Sequence, residues 1–224
     1  MDISPNGQVR AEAWLFDLDN TLYDASTGVF DLIDERMRSF IAGFLDLDLD
    51  EAFRVQKRYF REYGTTLRGL IERHGVEPER FLEHVHDIDL AQVSKSPALD
   101  GALARLPGRK IVFTNASAGH AERIMDRLGV AHHFEGVFDI ARADYTPKPE
   151  PLVYERLIGL YGLDPASTVI LDDMARNLAP AAALGMTTVW VRTNYDWGRE
   201  GSDGGHVHHI ADNLIEWLEG AAGG

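Results

Sequence analysis

The chain has 224 residues, 45% of them hydrophobic, with no cysteine and a formal net charge of −14. That length allows one large domain or a core with a smaller second unit, and the acidic balance disfavours nucleic-acid polymers and anionic membranes while leaving room for a small anionic ligand. Without cysteine there is no disulfide framework or thiolate metal site; no run approaches the ~20 apolar residues of a membrane span, and Met1–Arg10 lacks the apolar centre of a signal peptide, so the expectation is a cytoplasmic protein of open oligomeric state.

Residues 12–17 read as a buried strand, since Trp14-Leu15-Phe16 runs straight into Asp17. Asn20–Thr27 is a polar turn region. Val29, Phe30, Ile33, Met37, Phe40, Ile41 and Phe44 then recur at three- and four-residue spacing, the signature of an amphipathic helix. A second helix carries Phe53, Gln56, Phe60 and Tyr63, with Asp48 or Asp50 as its cap. Tyr63-Gly64-Thr65-Thr66 breaks it, and Thr65 or Thr66 caps a third. Pro78 opens a fourth, with Phe81, Leu82, Val85 and Ile88 inside. Nothing between 24 and 99 reads as a strand. A parallel crossover needs only about a dozen residues, so this stretch is expected to be an all-helical cap inserted into the fold.

From Leu99 the rhythm changes. Strands are expected at 110–114, 136–140, 168–171 and 187–191, alternating with helices that Ser117 opens, that Gly129, Gly162 and Gly185 stop, and that Asp212 caps at the end. Residues 193–205 form a Gly-rich polar loop. Strands alternating with helices predict an α/β fold: a parallel Rossmann-like sheet with helices on both faces, plus the inserted cap. The domain boundaries follow, with a core at 1–23 and 100–224 and a helical cap at 24–99.

Alternate residues of a strand face one side, so Asp17 and Asp19 can address one site. Two carboxylates at the end of a buried strand are costly unless a cation compensates them, which points to a divalent metal. The spacing alone proves little. Asp46-x-Asp48-x-Asp50 and Asp87-x-Asp89 repeat it, and for these a turn, cap or solvated face is expected. His206-Val207-His208-His209 lacks a third ligand at a recognisable spacing and reads as a loop leading into a short strand. Only the first acid pair has chemical partners at later strand ends: Thr114-Asn115, Lys148 between Pro147 and Pro149, and Asp172-Asp173. In open parallel sheets ligands bind at the carboxyl ends of the strands.

Asp17-Leu18-Asp19-Asn20-Thr21, Thr114-Asn115, Lys148-Pro149 and Asp172-Asp173, in this order, resemble the four motifs of the haloacid dehalogenase superfamily, in particular its Mg²⁺-dependent phosphatases. The resemblance implies that Asp17 is the nucleophile, forming an aspartyl-phosphate, and that Asp19 is the general acid and base. It implies Mg²⁺ held by Asp17, the backbone carbonyl of Asp19 and one of the adjacent acids, Asp173 by the motif, with Asp172 acting through a water or from behind the direct ligands. Thr114 and the Asn115 backbone N–H would bind phosphoryl oxygens, and Lys148 would neutralise the charge of transfer. Asn177 either orients Lys148 or caps a helix.

A narrower resemblance concerns substrate choice. Tyr63-Gly64-Thr65-Thr66-Leu67-Arg68-Gly69-Leu70, Val85-His86-Asp87-Ile88-Asp89 and Asp173-Met174-Ala175-Arg176-Asn177-Leu178 look like segments of the pyrimidine 5′-nucleotidase branch. It implies a pyrimidine nucleoside monophosphate such as UMP or CMP, with Tyr63, Thr66, Arg68, His86 and Asp87 as candidate contacts. The alternatives are a sugar-phosphate or phosphoglycolate phosphatase, a metal-independent dehalogenase, and a phospho-accepting signalling module.

Overall fold

A computed structural model of the chain describes residues 11–223. The polar opening Met1–Arg10 lies outside them. Six strands, β1 (Ala13–Phe16), β2 (Arg109–Phe113), β3 (Gly136–Phe138), β4 (Thr168–Asp172), β5 (Thr187–Val191) and β6 (His209–Ala211), form one parallel sheet in the order β3-β2-β1-β4-β5-β6. The chain winds outward from β1 in one direction, then restarts at β4 and winds outward in the other. β1 and β4 are neighbours, with Phe16 beside Leu171. The crevice at their carboxyl ends is the topological switch point where such sheets bind ligands.

Both faces of the sheet are covered, so its central strands carry continuous apolar runs, such as Trp14-Leu15-Phe16 and Val169-Ile170-Leu171, rather than alternating. The two-residue period of β1 sorts its side chains. Trp14 and Phe16 pack with α5 (Pro97–Arg105), α6 (Ala118–Leu128) and α9 (Leu214–Ala222). Ala13 and Leu15 pack on the opposite side with α7 (Pro151–Tyr161) and α8 (Ala175–Ala183). Local signals end these helices as expected. Ser117 accepts from the His120 N–H at the start of α6, and Gly129 and Gly162 adopt the left-handed conformation that a side chain resists. The last helix is a correction: its cap is Asn213, whose side chain accepts from Glu216 N–H, while Asp212 pairs with Arg192.

Four helices fill the stretch between β1 and α5: α1 (Val29–Leu45), α2 (Leu49–Tyr63), α3 (Thr66–His74) and α4 (Pro78–His86). Of the expected cap pairs, Asp48 and Thr65 do the work, accepting from the N–H groups of Glu51 and Arg68. Gly69 lets α3 approach α2, because a Cβ there would meet Tyr59 at 2.5 Å. The apolar faces of these helices join the side of the sheet that holds Trp14 and Phe16, through Ile33, Phe40, Leu70 and Phe81. The repeated acid motifs are ordinary. Asp46 ends α1, Asp87 pairs with Arg36, and Asp89 accepts from Ala91 N–H. His206 and His208 bond separately, to Ala175 C=O and to Thr188 N–H, and His209 opens β6. No helix among the described residues is long and apolar enough to cross a membrane.

Candidate active site

Strand β1 stops at Phe16, but its pairing with β4 continues one residue: the Asp17 N–H donates to Leu171 C=O at 2.9 Å. Asp19 is therefore not a strand residue. It reaches the same cavity through a turn in which Asn20 takes φ 61°. Short polar residues such as Asn tolerate this left-handed conformation best.

Lys148 is the hub. Its side chain is 1% exposed, and its ammonium donates to Asp17 Oδ1 at 2.8 Å, Asp172 Oδ2 at 2.6 Å and Phe113 C=O at 2.9 Å. Three N–H donors thus meet three acceptors, over the face of the Phe113 ring. The backbone of Lys148 is held by one side chain: Asn115 Oδ1 accepts from its N–H at 2.8 Å, and Asn115 Nδ2 donates to its carbonyl at 3.4 Å. The motif at the end of β2 therefore places the Lys of a distant loop, which the sequence reading of Asn115 did not foresee. Thr114 Oγ1 accepts from Ala116 N–H at 3.0 Å, so its hydroxyl hydrogen remains to donate.

The adjacent acids at the end of β4 are not equivalent. Both oxygens of Asp172 are engaged: Oδ2 holds Lys148, and Oδ1 accepts from Met174 N–H at 2.9 Å and Asn177 Nδ2 at 3.0 Å. Asp173 is buried and its Oδ2 has no partner. Asn177 is a correction as a helix cap, and it reaches Lys148 only through Asp172. It is the third residue of α8, whose cap position is Met174, and its amide grips Asp172 rather than Lys148.

Asp17, Asp172 and Asp173 each bring a carboxylate oxygen within 4.8 Å of the others. With Asp19 nearby, four carboxylates face one ammonium. Burial drives the Asp17 pKa up; Lys148 opposes this, Asp172 and Asp19 reinforce it, and the value lies at about 7. Asp173 is raised well above the usual range by burial and by Asp17 and Asp172. A buried, oxygen-only cluster with an unpartnered carboxylate oxygen and excess negative charge fits a hard divalent cation such as Mg²⁺.

Asp19 Oδ1 accepts from Tyr23 Oη at 2.7 Å and from His120 Nε2 at 3.0 Å. Burial would raise the Asp19 pKa, but the charge and hydrogen bond of His120, with Tyr23, hold it below the usual carboxylate value. Neither Tyr23 nor His120 is signalled by a motif. The available clue is that His120 sits on the buried face of α6 with Ala121, Ile124 and Met125, where a polar side chain needs a partner.

Above the carboxylates opens a cavity of ≈ 870 Å³, within the roughly 300–1,000 Å³ of small-molecule sites. Asp17, Asp19, Thr114, Asn115, Lys148, Asp173 and Asn177 line its floor. The α1–α4 helices supply Phe30, Phe53, Gln56, Phe60 and Phe81, and Trp197 reaches in from the loop expected to be merely polar. Of the five expected substrate contacts, Thr66 and His86 are on the cavity wall. Tyr63, Arg68 and Asp87 are not. Tyr63 packs edge-on to Tyr59, Arg68 is spent on Glu72 one helical turn away, and Asp87 is exposed beside Arg36.

Known proteins resemble this chain in sequence and in fold. The chain is 29% identical over 198 residues to Phosphate metabolism protein 8 of Saccharomyces cerevisiae, an alignment covering 81% of this chain but 62% of the yeast protein, under two thirds of its length. It is 27% identical over 196 residues to the glyceraldehyde 3-phosphate phosphatase of Methanopyrus kandleri, covering 81% and 84% of the two chains. Among solved structures, CbbY of Rhodobacter sphaeroides in complex with xylulose 1,5-bisphosphate superimposes with a TM-score of 0.67 at 16% identity, covering 92% and 96%. A HAD phosphatase from Thermococcus onnurineus gives 0.63 at 18% identity, covering 92% and 95%; identities this low speak for the fold alone. The sequence model of the haloacid dehalogenase-like hydrolases matches residues 11–185, most of the chain, and it is to this family of hydrolases that the protein belongs.

Proposed function

We propose that this hydrolase is a Mg²⁺-dependent phosphomonoesterase acting through an aspartyl-phosphate on Asp17, with a pyrimidine nucleoside 5′-monophosphate such as UMP or CMP as substrate. The observation that carries the phosphatase reading is the buried hub: one ammonium fixing Asp17, beside an oxygen-only cluster with the Asp173 Oδ2 unpartnered. Asp17, Asp173 and the Asp19 backbone carbonyl would hold the metal, with Asp172 behind them. When bound, it would supply positive charge for the phosphoryl oxygens.

In the first half-reaction an Asp17 carboxylate oxygen attacks phosphorus, the ester P–O bond breaks, and Asp19 gives its proton to the departing oxygen. A phosphate dianion beside Asp19 opposes its ionised form, which favours the protonated acid. In the second, a water attacks phosphorus, passes a proton to Asp19 and releases Asp17 and inorganic phosphate. Thr114 would donate its free hydroxyl hydrogen, and Asn115 its backbone N–H, to phosphoryl oxygens. Lys148, its three donors already placed, holds the nucleophile and acts through its charge. Residues 24–99 would be the cap that closes over this floor and excludes water. Of the described residues, 11–23 and 100–223 would be the core.

The nucleotide reading is supported by the cavity, which is larger than a two- or three-carbon phosphate needs and carries aromatic rings able to stack on a base. Gln56 is the best-placed polar group. Its Nε2 faces Asp34 Oδ1 and C=O, both acceptors, and its buried Oε1 has no partner, so it would accept from a base N–H once the side chain turns toward the cavity. The second reading, a small sugar or glyceraldehyde phosphate, draws on the names of the relatives above.

A phosphate-release panel with Mg²⁺ over UMP, CMP, glyceraldehyde 3-phosphate, phosphoglycolate and hexose phosphates separates the two. Repeated release from UMP and CMP, lost in EDTA and in Asp17→Asn, is expected. Preference for the two- and three-carbon esters would overturn the nucleotide reading alone. Full activity of Asp17→Asn would overturn the nucleophile, and a single stoichiometric phosphorylation without turnover would point to a signalling module.

A further inference from the structure

The Asp19 carboxyl is gripped from one side only. Tyr23 Oη and His120 Nε2 both converge on Oδ1, at 2.7 and 3.0 Å. Tyr23 is 3% exposed and His120 is 1% exposed, so neither partner is easily lost to solvent. The direction of the His120 bond follows from its other nitrogen. Nδ1 is buried with no partner, and a buried N–H without an acceptor is costly, so a ring with a single hydrogen carries it on Nε2 and donates it, as a protonated ring also does.

His120 is itself fixed from two parts of the fold. Its backbone N–H bonds to Ser117 Oγ in the first turn of α6. Its ring lies flat on His86, the last residue of α4, with centroids 4.4 Å apart and planes 11° from parallel. His86 is held in turn: its Nδ1 is hydrogen-bonded with Ser117 Oγ at 2.9 Å, and Arg123 donates to its carbonyl at 2.8 Å. From the sequence alone His86 is expected to contact substrate. The structure gives its ring face to His120, although it also touches the cavity wall.

We propose that His120 and Tyr23 are positioning residues that fill Asp19 Oδ1 with two donors and so leave Oδ2 as the oxygen that carries the transferred proton. The helical insertion takes part, because His86 from α4 is the surface that holds the His120 ring in line. A carboxyl free to rotate would present its proton in more than one direction; one gripped at Oδ1 presents it in one. This assignment rests on the phosphatase reading, in which Asp19 protonates the leaving oxygen.

The test exploits leaving-group chemistry. p-Nitrophenolate departs without a proton, whereas an alkoxide needs one. The ratio kcat/KM reports the half-reaction up to departure of the leaving group. It is measured with Mg²⁺ for p-nitrophenyl phosphate and for UMP, or for the best alkyl phosphate of the panel, in wild type, His120→Ala, His120→Gln and Tyr23→Phe. For His120→Ala, kcat/KM on the alkyl ester is expected to fall by about 10²-fold or more, the low end of general-acid contributions, with p-nitrophenyl phosphate within about threefold. His120→Gln, which retains an N–H donor, recovers part of the loss, and Tyr23→Phe shifts the ratio in the same direction. Equal losses on both esters would overturn the proposal in favour of a purely structural role, as would wild-type ratios in both His120 variants. A wild-type protein that hydrolyses neither ester overturns the phosphatase reading itself, and this proposal with it.

Discussion

Replacing Lys148 by Met would remove the ammonium while keeping most of the side-chain volume. The structure sets the size of the effect. The lost group serves Asp17 Oδ1, Asp172 Oδ2 and Phe113 C=O, and its side chain is 1% exposed, so water does not substitute for it. Removing one partner of a buried charge pair costs about 3–5 kcal/mol, because the remaining charge stays buried and unpaired. For a chain of this size about 2–4 °C of melting temperature accompanies each kcal/mol, which predicts a drop of roughly 6–20 °C. The loss should shrink near pH 6, where Asp17, already raised to about 7 by burial, takes up a proton rather than remaining an uncompensated anion. The assay is urea unfolding in EDTA of wild type, Lys148→Met, Asp172→Asn and the double variant. The double variant should lose less than the sum of the singles, by about 0.5–3 kcal/mol, since the residues are in contact. A Lys148→Met loss below about 1 kcal/mol, the range of exposed ion pairs, would refute the buried-hub argument, and so would simple additivity.

Two further outcomes follow from packing and linkage. Gly69→Ala should destabilise by about 1–2 kcal/mol despite the better helix propensity of Ala, because its Cβ would meet Tyr59 Cβ and Cγ at 2.5 Å and Tyr59 is tied to His74 at 2.7 Å. Gly43→Ala, with nothing within 4 Å, should instead stabilise by up to about 1 kcal/mol; thermal melts of both that moved together would contradict the close approach of α3 to α2. The stability added by a fixed Mg²⁺ concentration should grow as pH rises from 5 through about 7, where Asp17 gives up its proton. Burial and clustered charge raise the pKa of both Asp17 and Asp173 in the metal-free fold, so at the acid end the cation must displace protons to bind. Because the increment is a difference at each pH, the opposite contribution of His86, pushed down to about 3 by burial and by His120, cancels. A flat or falling increment in urea midpoints would remove Asp17 and Asp173 from the metal site.

The elements were legible because their signals are local. Trp14-Leu15-Phe16 before an acid, the three-and-four spacing from Val29 to Phe44, and Gly at helix ends each act within a turn or a strand, and the strands and helices lie close to where these place them. The site floor was legible for a related reason: Asp17, Thr114, Lys148 and Asp172 each follow an apolar run or lie between prolines, and a parallel sheet gathers its strand ends at one rim. Which partner each group takes was not. The bond from His120 to Asp19 spans 101 residues and that from Lys148 to Asp17 spans 131, and no spacing rule reaches across such distances. The same holds for Asn115 holding the Lys148 backbone, Asn177 turning to Asp172, and Trp197 entering the cavity. Residue types and their order along the chain decided the fold and the kind of chemistry, since propensity and periodicity are properties of neighbours. Only packing in three dimensions decided which oxygen of Asp19 is gripped and which acid keeps a bare one, because hydrogen bonds and burial depend on what the fold brings alongside.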